Sequence, residues 1–263
     1  MDFDDLSDKQ KVQVAKGFDA TPELIPFIPF LLQDLWELGS SPKIIIDILK
    51  SIELVQPCRV LDLACGKGAV SCRIAKELGY QTHGIDLFKP FIEEAKIKAK
   101  EFGVADLCKF EVGDINTVVQ TKKNFDVVVL AAAESLLGTI DTAIQLLKQC
   151  VKPNGYIIYD GVFLNEGSVI NKPEYSIIRS YEETIRLLTS HYDKIIMEVK
   201  IPIEETKAIN DSFTFFIKKR ANELLTKFPE RKDMLIGYVK EQEEECKIIE
   251  NDVVGCVWCI KKL

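Results

Sequence analysis

Between residues 58 and 161 the chain alternates short, unbroken apolar runs with longer stretches in which apolar residues recur every three or four positions. "RVLDLAC", "QTHGID", "CKFEVGD", "FDVVVLAAA" and "GYIIYDG" are of the first kind. Runs this short, flanked by turn formers, read as parallel strands buried on both faces. The second kind reads as helices. "GAVSCRIAKELG" places Val70, Ile74 and Leu78 on one face and offers Gly79 as a stop. "KPFIEEAKIKAKEFG" carries Pro90 near its start and Gly103 past its end, the usual asymmetry of a helix. "DTAIQLLKQCVKPNG" runs from Asp141 as N-cap to a Pro-Asn-Gly turn. Strand and helix in alternation predict a parallel sheet with right-handed crossovers.

The pattern changes after residue 161. "EETIRLLTSHYDK" reads as a helix, "IIMEVKIP" as a sixth strand and "DVVGCVWCI" as a seventh. The residues between the last two are largely helical, with an amphipathic stretch "DSFTFFIKKRANELL" and a second helix after Pro229. Residues 1–56 are also mostly helical in pattern, with turns marked by Pro22, Pro26, Pro29 and "GSSP".

Composition bounds the function more than the fold. With 263 residues and 47% hydrophobic content, the chain is long and apolar enough for one elaborated α/β domain with a substantial core. A net charge of -7 argues against a nucleic-acid surface as the main business. Eight scattered cysteines, several inside apolar runs, read as small buried hydrophobes in a reducing compartment. The acidic start "MDFDDLSDKQ" is unlike a secretory signal, and the longest apolar candidate, "LIPFIPFLLQDLW", is short and broken by two prolines. A cytoplasmic protein is expected.

The chemistry centres on "VLDLACGKGAV", residues 60–70. In an open parallel sheet, ligands bind beyond the carboxyl ends of the strands, where strand order reverses. Gly66 and Gly68 follow the first parallel strand, so the backbone there can approach a cofactor closely. Asp86 ends the second strand, where a carboxylate can accept both hydroxyls of a ribose, and Asp114 ends the third, within reach of an adenine amino group. A dinucleotide site would prefer G-x-G-x-x-G, but Ser71 stands where the third glycine belongs. Asp62 would repel a pyrophosphate and suits a cationic amino group. The pattern therefore favours S-adenosylmethionine over NAD.

Residues 58–161 resemble the class I S-adenosylmethionine-dependent methyltransferases. "VLDLACGKG" is similar to the family's first motif, D-x-G-x-G-x-G, with Ala64 in place of the first glycine. "GIDLF", "VGDI", "FDVVVLAAAESLLG" and "VKPNGYIIYDG" match the later elements in the family's order. The resemblance implies an α/β fold, a Rossmann-like seven-stranded, mostly parallel sheet with an antiparallel last strand and helices on both faces. It implies that Asp62 faces the methionine amino group, with the backbone of Ala64, Cys65, Gly66 and Gly68 along the methionine portion. Asp86 would bind the ribose and Leu87 flank the adenine. Asp114 and Ile115 would touch the adenine, while Ala131 and Ala132 close the pocket near the sulfonium.

Division of the chain follows: an N-terminal helical cover over 1–56, the cofactor-binding core over 57–202, a helical insertion over 203–250 and the final strand over 251–263. A sixth strand parallel to the others ends on the cofactor side, so the insertion that follows is expected as a lid above the methyl-transfer site. The N-terminal helices are expected to join it; Phe213, Phe216 and Ile217, with Trp36 of "QDLWELG", are offered toward that lid, most of them as packing of lid against core. An enclosed, partly apolar pocket suits a small-molecule acceptor. The element N-P-P-[FY], which in this fold marks amide or exocyclic-amine methylation, is absent; "AAAES" stands in its place. Methylation of RNA or protein, or cofactor binding without methyl transfer, are the alternatives, and oligomeric state is open.

In-line methyl transfer needs a general base only where the acceptor must lose a proton. Glu134 and Asp160 are the candidates from the ends of strands four and five, with Ser135, Phe163 and Glu204 as further side chains on that side. His83, inside the second strand, reads as a satisfied core histidine, and His191 lies far from the cofactor end. Cys256 and Cys259 point to opposite faces of a strand, so no metal site is expected.

Overall fold

The computed structural model describes residues 6–52 and 54–263; the side chains of Glu134 and Glu174 fall outside that description. The expected strands form one seven-stranded sheet: β1 (Arg59–Leu63), β2 (Gln81–Asp86), β3 (Cys108–Val112), β4 (Phe125–Ala131), β5 (Val151–Leu164), β6 (Lys194–Lys200) and β7 (Val253–Lys261). Their order is β3-β2-β1-β4-β5-β7-β6. β1 pairs in parallel with β2 and β4, β2 with β3 and β4 with β5; β7 runs antiparallel to both β5 and β6. The chain therefore starts in the middle, winds outward through β2 and β3, and returns to the other side at β4. That reversal opens a crevice at the carboxyl ends of β1 and β4.

Side-chain alternation along the strands builds a core on each face. On β1, Leu61 and Leu63 pack with α7 (Ile140–Cys150), whereas Val60 packs with α3 (Pro42–Ser51) and α4 (Ala69–Leu78). β7 repeats the arrangement: Cys256 joins the first core and Cys259 the second, both fully buried and both free thiols. α4 buries Val70 and Ile74, half-buries Leu78, and stops at Gly79 in the left-handed conformation (φ 70°). α5 (Lys89–Glu101) has Pro90 in its first turn and is followed by Gly103 (φ 69°).

Four local readings are corrected. A helix the periodicity did not reveal, α6 (Ile115–Thr121), follows β3; it is short and built partly of valines, and it forms because the Asp114 carboxylate accepts the Asn116 N–H. Thr139, not Asp141, caps α7, and Asp141 sits in the first turn, where its charge favours the helix dipole. The Pro-Asn-Gly turn is absorbed into β5 as an irregularity, with Asn154 at φ 59°. The amphipathic helix of the insertion is longer than its apolar pattern suggested: α9 spans Ile203–Lys227 and is followed by α10 (Lys232–Asn251).

The N-terminal cover comprises α1 (Asp8–Lys16), a turn over Pro22–Phe27, α2 (Ile28–Leu31) and α3; residues 1–5 and 53 lie outside the description. α9 and α10 pack on the outside of α1 and α2: Ile217, Ala221, Leu224, Leu235 and Tyr238 share one core with Leu24, Ile25, Ile28 and Leu31. α8 (Tyr181–Leu188) lies on the opposite face of the sheet, with α7. Among the described residues, no helix is long and apolar enough to cross a membrane.

Candidate functional site

The loop after β1 turns left-handed three times in five residues, at Ala64 (φ 56°), Gly66 (φ 52°) and Gly68 (φ 75°). Glycine accepts this conformation freely, whereas Ala64 bears a cost of about 1 kcal/mol. At Gly68 space adds to the demand: a β-carbon there would lie 2.8 Å from the Phe110 ring and 2.9 Å from Ala95 Cβ. The loop is fastened to β2. Cys65 N–H donates to the Ile85 carbonyl at 3.0 Å, and Gly66 N–H donates to Asp86 Oδ2 at 2.9 Å. Asp86 Oδ1 accepts the Phe88 N–H at 2.8 Å, so one carboxylate ties the glycine loop to the turn leading into α5. Burial pushes the Asp86 carboxyl above its usual range.

Two voids open around this loop and share Leu38, Ala64, Gly66 and Ala131 as walls, so they are lobes of one cleft. The smaller spans about 320 Å³, part of it open to solvent, and is lined by Asp62, Cys65, Lys67, Ala69 and Val70 below, and by Trp36 and Ser40 of the cover above. The larger encloses about 690 Å³, part of it open to solvent. Its walls come from the strand ends, through Asp86, Leu87, Phe88, Ile115, Ala131, Ala132, Ala133 and Leu136. Phe91 of α5 and Gln13, Val14, Gly17 and Phe18 of the cover complete it. Apart from Gln13 and Asp86, the walls of the larger lobe are apolar side chains and glycine, the usual make-up of a small-molecule site.

Asp62 is 2% exposed, and its Oδ2 accepts the Ser71 hydroxyl proton at 2.6 Å. Burial, opposed by the Ser71 hydrogen bonds, pushes its carboxyl up to about 7. A carboxyl buried at the end of a cleft and held near neutrality gains most from a cationic ligand group, which would return it to the charged form. An amino-acid ammonium beside Asp62, with glycine backbone along the chain and Asp86 at the far end, fits the residues that S-adenosylmethionine would need.

Of the residues expected at the cofactor, Asp62, Ala64, Cys65, Gly66, Asp86, Leu87, Ile115, Ala131 and Ala132 line the cleft. Gly68 and Asp114 do not: the first makes room for Phe110, and the second caps α6 while half-buried. Asp160 is buried, and its Oδ2 accepts the Ser41 N–H at 2.9 Å, anchoring the start of α3 across the strand ends. Phe163 is a core residue, its ring 5.1 Å from Tyr181. Ser135 and Glu204 are exposed. Glu134 opens the single helical turn after Ala133, a cleft residue, and its side chain lies outside the description. His83 Nε2 lies 3.0 Å from Glu111 within the sheet, and His191 sits beside Asp141 at the amino end of β6.

What sequence reasoning missed comes mainly from the cover. Gln13, Val14, Gly17, Phe18, Leu38 and Ser40 form cleft wall, and no residue of α9 or α10 does so among those described. Phe213, Phe216 and Ile217 pack against the cover, in the core the two regions share. The apolar spacing of "KVQVAKGF" carried a faint signal for α1, but nothing in it says which surface the helix meets.

A family model described as a methyltransferase domain matches residues 54–212. The chain is 34% identical over 100 residues to the uncharacterized protein YjhP of Escherichia coli, a match covering 38% of this chain and 40% of that one. It is 39% identical over 72 residues to the aklanonic acid methyltransferase DauC of a Streptomyces species, covering 27% and 32%. The chain thus spans less than half the length of these curated relatives. The structure of a SAM-dependent methyltransferase from Geobacter sulfurreducens in complex with S-adenosyl-L-homocysteine superimposes with a TM-score of 0.76 at 19% identity, covering 90% of this chain and 98% of that one. At that identity the likeness is one of fold.

Proposed function

The chain belongs to the class I S-adenosylmethionine-dependent methyltransferases, and from that premise we propose that it transfers a methyl group to a small molecule by in-line displacement. The observation that carries the reading is the roofed cleft: α1 and the Trp36–Ser40 stretch lie over the strand ends, leaving a cavity suited to a metabolite. The acidic net charge supports the same reading, as does the relative named for aklanonic acid, a small molecule.

Bound in the cleft, S-adenosylmethionine supplies a methyl carbon already activated by its sulfonium. The chain's own work is positioning. Asp62 holds the amino group, and Asp86 accepts from the ribose while keeping Gly66 and Phe88 in place. Leu87 and Ile115 bracket the adenine, and Asp114 is assigned to its rim. The small side chains of Ala131, Ala132 and Ala133 leave room for the acceptor, and Val14, Phe18 and Leu38 exclude water. Orienting the acceptor in line removes much of the entropic barrier. Where the acceptor must lose a proton, Glu134 is the carboxylate assigned to take it, because Asp160 is held by Ser41.

The test is calorimetric titration with S-adenosylhomocysteine and with NAD, followed by incubation of the protein with methyl-labelled cofactor and a metabolite extract. Saturable binding of the homocysteine nucleoside alone and label in the low-mass fraction are expected. Label that disappears after RNase or protease treatment would move the acceptor to a macromolecule, and NAD binding would overturn the cofactor assignment.

A further inference from the structure

Lys67, the residue between the two glycines of the loop, is 1% exposed. A buried ammonium is costly unless fully paired, and this one reaches out of its own loop for partners. Its Nζ donates to the Leu32 carbonyl at 2.7 Å, lies 3.0 Å from Glu94 of α5, and stands 5.2 Å above the Phe91 ring. The other end of the same residue grips the same stretch of cover, its backbone carbonyl accepting the Trp36 indole N–H at 2.9 Å. Beyond Trp36 the cover lies directly on the loop, so close that a β-carbon on Gly66 would come within 3.2 Å of Leu38 Cδ1. It is anchored again where Ser41 meets Asp160. Residue 67 thus makes two of the fastenings that hold residues 32–41 over the cleft.

We propose that Lys67 is a positioning residue that makes the seating of the N-terminal cover and the shape of the glycine loop one equilibrium, so that filling the cofactor cleft and closing the cover favour each other. This inference rests on the cofactor reading above. The physical ground is geometric. The backbone that runs along the cofactor and the roof above it share one side chain and one carbonyl, so displacing either strains the other. Unseating the cover also strips a buried ammonium of one of its two polar partners, which adds to the cost. Linkage then requires the effect to be reciprocal: whatever orders the loop holds the cover down.

The test is hydrogen exchange by mass spectrometry on the full chain with and without saturating S-adenosylhomocysteine, alongside calorimetry. In the wild-type chain the ligand slows exchange in peptides covering residues 24–41 as well as in the loop. In Lys67→Met, which keeps the apolar stem, affinity falls roughly tenfold. At saturation the loop is still protected in that variant, and residues 24–41 no longer are. Protection of residues 24–41 that survives in the saturated variant overturns the proposal. Should Lys67→Met fail to fold, Trp36→Phe removes the indole donor while keeping an aromatic ring: reduced ligand-dependent protection of the cover supports the coupling, and unchanged protection overturns it. A wild-type chain that does not bind S-adenosylhomocysteine would sink the cofactor reading and this inference with it, whereas binding with unaltered protection sinks the coupling alone.

Discussion

Two helical regions flank the cleft, residues 6–51 ahead of the sheet and residues 203–251 between β6 and β7. By periodicity both look like lids, yet they do different things. The first contributes side chains to the cleft wall; the second lies behind it, joined through a shared apolar core, the Phe27–Phe228 ring contact at 5.4 Å and the Arg220–Asp34 ion pair. The insertion leaves from the cofactor end of the sheet, as its position demands, but the cover already occupies the space above the glycine loop. An amphipathic helix buries its apolar face against whatever is nearest, and here that is the back of α1 and α2. Proximity to a site in topology is therefore weaker evidence for contact than a buried polar partner within it.

The sharpest way to break this contrast is to truncate a side chain in each region. Ile217→Ala, in α9 of the insertion and 1% exposed, should cost about 3 kcal/mol of stability in urea unfolding, with S-adenosylhomocysteine affinity within about twofold of wild type. A large loss of affinity would place the insertion in the site after all.

Beneath the cover, Asp62→Asn should do the reverse. Loss of a charge-assisted contact to the amino group is expected to weaken binding by about 2 kcal/mol, roughly 30-fold, without loss of folding stability. The pH dependence separates the two effects further. Burial holds the Asp62 carboxyl at about 7, above its unfolded value of ~3.9. The folded chain therefore keeps a proton that the unfolded chain has released between those values, and this group's contribution to stability falls as pH rises through that window. Affinity for a cationic ligand group runs the opposite way, weakening about tenfold per unit as pH falls below about 7. Calorimetry across that range should show the fall in the wild-type chain and its absence in Asp62→Asn; a flat wild-type profile would remove Asp62 from the cofactor site.

A smaller effect is expected of Leu38→Ala, in the cover and against Gly66: about 1 kcal/mol in ligand affinity, near fivefold, with a lesser change in the unfolding midpoint. Equal losses in both measurements would erase the distinction between wall and backing. Smallest is Ala64→Gly. Relief of the left-handed conformation should raise stability by about 1 kcal/mol, a few degrees in melting temperature, with affinity unchanged.

The strands of the core, the glycine loop and its acids were legible because each is written locally. Buried parallel strands need apolar runs, a left-handed turn needs glycine or tolerates alanine at a cost, and Asp62 and Asp86 stand at strand ends where no core residue would be charged. α6 was not, since a seven-residue helix of β-branched residues depends on its cap more than on its periodicity. The role of Asp160 was equally hidden. A carboxylate at a strand end looks the same in sequence whether it meets a ligand or a backbone N–H, and Ser41, the partner of Asp160, is 119 residues away. The sequence by itself determined the α/β architecture, the cofactor class and most of the cleft floor, because those follow from backbone geometry and side-chain alternation over a few residues. Only the tertiary structure decided which helices roof the cleft, that the Asp160 carboxylate is committed to Ser41 and that Lys67 fastens roof to floor, because each depends on where distant segments cross.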